Sequence, residues 1–133
     1  AFTFVPDDGT PERSYDVSLL RVQIRQRLIP WQTSLVMLDC LVPFLSVNRV
    51  WEQDRVDALT PDSYELDPPI ALQDEGTVIL VDGVHRVMRL HQNGHVTAKI
   101  IFVDEKLAPR VQPGWGQKPG HDWGVPLSSL RAK

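Results

Sequence analysis

The chain has 133 residues, 42% of them hydrophobic and 23% charged, and a formal net charge of −3. That is enough for one ordinary core and too little for two, so residues 1–133 read as a single domain. The acidic balance argues against a protein whose main task is to coat nucleic acid. No run approaches the roughly 20 apolar residues of a membrane span, so no membrane partner is expected.

Residues 1–30 read as an N-terminal extension and helix. Pro6, Gly9 and Pro11 suit an extended segment with a turn. From 14 to 28, Val17, Leu20, Ile24 and Leu28 recur at helical spacing. Ser14 or Asp16 can cap this helix and Pro30 ends it. Its stripe either packs on the domain or meets a partner. Arg21, Arg25 and Arg27, with Arg13 upstream, suggest a basic face there, though such runs are usually solvated.

Residues 31–103 carry the regular elements of the core. A strand is expected over 33–38, and a connecting segment from Val42 and Pro43 to Asn48. A helix over about 51–59 turns Val56 and Leu59 inward, and Thr60 with Pro61 closes it. Ile70 to Leu72 form a short strand, Asp74, Glu75 and Gly76 a hairpin turn, and Val78, Ile79, Leu80 and Val81 a buried strand. Asp82 and Gly83 end that strand. His85 to His91 then suit a short helix stopped by Asn93 and Gly94, and 98–103 form a last strand. Cys40, the single cysteine, reads as a buried core thiol and leaves no internal disulfide framework. This suggests a reducing compartment, and with no basic-then-apolar leader in view the cytoplasm is the expected location.

Residues 104–133 change character, because Pro109, Pro113, Pro119 and Pro126 alternate with Gly114, Gly116, Gly120 and Gly124. Long regular structure is not expected in this tail. Trp115 and Trp123 are costly to leave in water, so the tail is expected to wrap onto the domain; a partner-binding arm is the alternative.

The junction at Asp82, Gly83, Val84, His85 and Arg86 is the strongest functional signal. The first amides of a helix there point back toward the strand end, and with the macrodipole they favour an anion. Arg86 offers a fork to phosphate oxygens and His85 a hydrogen bond or a proton. Asp82 can hold a Mg²⁺ or orient His85. Taken singly, an Asp-Gly pair is usually a turn and a lone His a cap; their coincidence at one corner is what points to phosphate chemistry.

These residues resemble the ParB/sulfiredoxin superfamily. Asp82-Gly83-Val84-His85-Arg86, followed by Gly94 and the strand of Ala98 to Val103, is similar to that family's signature. Asp67-Pro68-Pro69-Ile70 is similar to its Pro-Pro-Ile segment. Leu38 to Pro43 resemble its opening strand and turn, and Asn48-Arg49-Val50 with Asp54-Arg55-Val56 the helix after it. The resemblance spans about 33–103 and implies a small α+β domain with a mixed sheet that binds nucleotides. In different members such a fold supports phosphotransfer, nucleotide hydrolysis or nuclease activity. A sulfiredoxin has its cysteine where Val84 stands, so sulfinic acid reduction is not expected. A Gly-Glu-Arg-Arg type of motif and room for a helix-turn-helix domain are missing too, which counts against centromere reading by this chain alone.

Candidate carboxylates complete the picture. Glu52 and Asp54 lie about 200° apart on a helix, so they cannot both face one site. Glu52 is favoured as general base or metal ligand, a role the resemblance also suggests; a helix-start charge is the alternative. Asp104 and Glu105 are weaker candidates. His91 and His95 have a break between them and no cysteine pair nearby, so zinc is not expected, and no Walker-type loop is present. The expected site therefore has Glu52, Asp82 and His85 as catalytic groups, with Gly83, Val84, His85 and Arg86 on the phosphate. Asp82 and Glu52 would hold the metal. The expected ligand is Mg²⁺ with a nucleotide (ATP, ADP or CTP), for phosphoryl transfer or hydrolysis. Two alternatives remain at this point: a DNA-associated nuclease or partition-type protein, and a non-catalytic module with a protein partner.

Overall fold

The structure, a computed structural model, describes residues 2–4, 13–48, 53–58, 68–111 and 124–126. The described part is a mixed α+β arrangement. Strands β1 (Phe2–Phe4), β2 (Arg13–Tyr15) and β7 (Arg110–Val111) form a small antiparallel sheet. The larger sheet contains β3 (Gln32–Met37), β4 (Ile70–Asp74), β5 (Thr77–Asp82), β6 (Thr97–Asp104) and β8 (Gly124–Pro126), in the order β3-β6-β4-β5-β8. Its β4/β6 pair is parallel and its other pairs are antiparallel. Successive residues of β4 and β5, Ile70 to Leu72 and Val78 to Val81, are all buried, so this sheet is covered on both faces.

Helix α1 (Val17–Arg25) starts at Asp16, whose carboxylate accepts the Leu19 amide. Ser14, an alternative cap in the sequence, lies in β2 instead, and the helix ends at Arg25 rather than at Leu28. Leu20 and Ile24 are buried, whereas Leu28 beyond the end is 65% exposed. Nine residues are too few for a stable isolated helix. Two buried aliphatic side chains, at about 1.5–3 kcal/mol each, hold it to the core.

The segment after β3 departs from expectation. Residues expected to form a turn and connection are helix α2 (Leu38–Asn48), with Pro43 inside it. An interior proline costs about 3 kcal/mol by loss of a hydrogen bond and by crowding. Burial of Leu38, Leu41 and Val42 offsets that cost, and the Leu38 amide is fixed to the Val96 carbonyl at 2.9 Å. Cys40 is on this helix, half-buried against the core and free, rather than fully buried.

Helix α3 (Gln53–Asp57) buries Val56 and packs, like α2, against α4 (Val84–Gln92). Trp51, Glu52, Leu59, Trp115 and Trp123 lie outside the described residues. The hairpin at Glu75 and Gly76 joins β4 to β5 as expected, and β8 adds to the far side of β5 through Thr77, Val78 and Ile79. Among the described residues no helix is long and apolar enough to cross a membrane.

Candidate functional site

The corner forms because β5 ends in a bulge. Ala71 faces Leu80, but the next pair is Ile70 with Asp82, which leaves Val81 as an extra residue in β5. Such an insertion sharpens the local twist and re-aims the residues after it. Gly83 then takes φ 96° and caps α4 without any side-chain hydrogen bond. A Cβ on Gly83 would meet the Pro69 Cβ at 2.7 Å and its Cα at 2.9 Å. Only glycine lets the corner close on the start of β4.

Val84, Val87, Met88 and Leu90 form the buried stripe of α4, and His85, Arg86 and Arg89 are half-buried beside it. The amides of Val84, His85 and Arg86 have no acceptor within the helix, as at any helix start. Arg86 Nη1 is 3.9 Å from Asp82 Oδ2, an ion pair too long for a hydrogen bond. Its Nε and Nη1 are buried and, among the described residues, have no hydrogen-bond partner.

Asp82 has a second cation that no local pattern assigns to it. Arg21, on α1, donates from Nη2 to Asp82 Oδ2 at 2.5 Å and from Nη1 to the Pro68 carbonyl at 3.0 Å. Two guanidinium groups therefore converge on one carboxylate oxygen at the strand end. A signal for Arg21 does exist in the sequence: it stands four residues after Val17 and three before Ile24, within the apolar stripe and not opposite it. Its place in a basic run masks that signal by suggesting a solvent-facing position.

The other described candidates lie elsewhere; Glu52 is outside the described residues. Gln53, at the start of α3, exchanges hydrogen bonds with Gln92 at 2.9 and 3.0 Å. That contact is at the far end of α4, about 9 Å along the axis from Arg86. Asp54 is exposed on α3. His91 Nε2 is 3.4 Å from Asp39 Oδ1, and Arg89 Nη1 is 3.9 Å from Asp57 Oδ1. Glu105 is 4% exposed and receives the Tyr15 hydroxyl at 2.9 Å, with Arg110 and Arg13 beside it. Arg13 also bonds Asp74 at 2.8 Å. This network ties the small sheet to the body, so Glu105 is a structural anchor. Burial, followed by the Glu105 hydrogen bond, pushes the Tyr15 hydroxyl well above its ordinary pKa. Desolvation opposes the Arg13 charge, but the Asp74 hydrogen bond and the neighbouring acids hold its pKa above the usual value.

A cavity of about 570 Å³ opens at the other end of the sheet, walled by Trp31, Phe102 and Leu107 with Asp74, Glu75 and Asp104 at its rim. The length of β4 between Ile70 and Asp74 separates it from the corner by about 13 Å.

No relative was found. No family model, curated protein or solved structure matches the chain. What the corner does rests on its own chemistry.

The arrangement fits an anion better than a bare metal ion. Asp82 is the carboxylate at the corner and is already faced by Arg21 and Arg86. Among the described residues no cluster of three or more His, Cys, Asp or Glu could hold a metal.

Proposed function

We propose that the corner binds the phosphate of a nucleotide, in a small domain of the ParB/sulfiredoxin-like type, and that it supports phosphoryl transfer or nucleotide hydrolysis. The observation that carries this reading is the Arg86 guanidinium, with Nε and Nη1 buried and unmatched by any hydrogen bond among the described residues, next to an uncapped helix start. Two buried guanidinium nitrogens without a hydrogen bond are costly, since the Asp82 carboxylate at 3.9 Å is too far to accept one, and a phosphate oxygen would satisfy them. In this reading Gly83 lets the chain approach the anion, the amides of Val84, His85 and Arg86 bind its oxygens, and His85 meets the transferred or leaving phosphate.

Asp82 takes a different role from direct metal binding: it orients Arg86 and Arg21. Mg²⁺ would then arrive on the nucleotide phosphates and keep much of its water, as it commonly does. Glu52 remains the proposed base for the nucleophile. Because such chemistry is largely positioning and charge stabilisation, these few groups suffice for it.

Calorimetric titration of the purified chain with ATP, ADP, CTP and GTP, with and without Mg²⁺, tests the reading. Binding of at least one nucleotide that is weakened about tenfold or more in Arg86→Ala is the expected result. No heat with any of the four removes the proposal.

A further inference from the structure

We propose that β3 and the cavity beside it form a docking groove for an extended peptide of another protein, which adds a strand to the sheet and places a basic side chain at the cavity mouth. Among the described residues β3 is the edge of the five-stranded sheet, and Gln32, Thr33, Ser34 and Leu35 are all exposed, Leu35 at 70%. Natural edges are usually protected by lysine, proline or a bulge. This one has none: residues 28–38 contain no charge, the only proline among them lies before the strand, and the β3/β6 register runs unbroken from Gln32 with Phe102 to Met37 with Thr97. An unguarded edge of six residues can pair its outward amides and carbonyls with an incoming strand.

The cavity explains where specificity would come from. Gln32 pairs with Phe102, Phe102 with Ala71, and Asp104 with Gln73, so Gln32, Phe102, Gln73 and Asp104 share one face of the sheet. All four line the cavity. A residue of the added strand opposite Gln32 would sit about 4.8 Å outside β3 on that same face, over the mouth. Trp31, 40% exposed, gives it an aromatic wall. Around the mouth Asp74, Glu75 and Asp104 outnumber Lys106, and counting Arg13 on Asp74 still leaves one net negative charge. A lysine or arginine stem with its charge near Glu75 and Asp104 meets both features.

A second copy of this chain meets the mouth less well: antiparallel self-pairing centred between Ser34 and Leu35 puts Met37 opposite Gln32, and β3 carries no basic side chain.

Phage-displayed random ten-residue peptides, panned on the intact chain, test the proposal. Enriched sequences should alternate apolar and β-branched residues and carry Lys or Arg on the cavity side. The synthetic form of the best sequence should slow hydrogen exchange at the β3 amides. It should bind at least tenfold more weakly to Leu35→Lys and to Trp31→Ala, whose exposed side chains leave the fold intact by circular dichroism. Four outcomes overturn the proposal: no enriched sequence, acidic consensus peptides, protection confined to residues other than β3, or unchanged affinity in both variants. Sedimentation of the chain as a dimer that Leu35→Lys dissociates would also overturn it, because a second copy would then be the occupant.

Discussion

Replacing Gly83 by alanine should destabilise the chain by about 3 kcal/mol, the sum of two separate costs. The left-handed conformation at φ 96° disfavours any L side chain, by roughly 1–2 kcal/mol. The new Cβ would also lie 2.7 Å from the Pro69 Cβ and 2.9 Å from its Cα. Backbone cannot swing aside as a flexible side chain would. The Pro69 carbonyl accepts the Ile101 amide at 2.9 Å, so relief means shifting the start of β4 away from β6. Overpacking of that kind costs about 1–3 kcal/mol. Gly94 provides the control, because it has φ 85° with nothing within 4 Å of an added Cβ. Gly94→Ala should therefore show only the conformational part, roughly 1–2 kcal/mol. Urea unfolding of the three proteins, with slopes compared, reads both values. Equal losses at positions 83 and 94 would refute the idea that the corner is closed tightly on Pro69.

Arg86→Ala should weaken nucleotide binding by about 1.5–3 kcal/mol, the range for a hydrogen bond to a charged group, while unfolding stability stays nearly unchanged; calorimetry and urea unfolding measure the two. Tyr15→Phe should cost about 1.5–3 kcal/mol of stability, since the buried Glu105 carboxylate loses a donor. The raised Tyr15 pKa gives a pH signature as well. Its stabilisation is fully present below the unfolded value, about 10, and is lost as pH rises beyond it toward the higher folded value. Unfolding midpoints from about pH 8 to 11 should thus fall more steeply in the parent chain than in Tyr15→Phe, and parallel curves would contradict the assignment. Val84 supplies neither nucleophile nor exchangeable proton, so incubation with ATP, Mg²⁺, a thiol and a sulfinylated peroxiredoxin should give no reduction above a no-enzyme control.

The elements legible in the sequence are those with strong local signals. The run of Val78 to Val81, the turn at Glu75 and Gly76, and the stop at Asn93 and Gly94 each carry their own pattern, and each marks the structure. α2 is hidden because Pro43 is a local veto that only tertiary burial of Leu38 and Leu41 can override. β2 is hidden because three residues are too short to show alternation, and its partners lie at Phe2–Phe4 and Arg110–Val111. At the corner, the sequence pattern brings Asp82, Gly83, His85 and Arg86 to one strand-to-helix junction. The pairing of Arg21 is out of reach, since a partner 61 residues away leaves no mark on spacing. The same holds for Tyr15 and Glu105, 90 residues apart.

The grip of Arg21 on Asp82 makes α1 a party to whatever happens at the corner. An anion that draws Arg86 toward itself leaves the Asp82 carboxylate more fully to Arg21, so ligand and helix reinforce each other. A ligand that draws Arg21 instead competes with the helix for its anchor. Either way the exchange is reciprocal: any factor that loosens α1 must alter affinity at the corner by the same free energy with which the ligand alters the docking of α1. With the proposed anion bound, a helix that looks peripheral in the chain order would thereby be in thermodynamic contact with the corner.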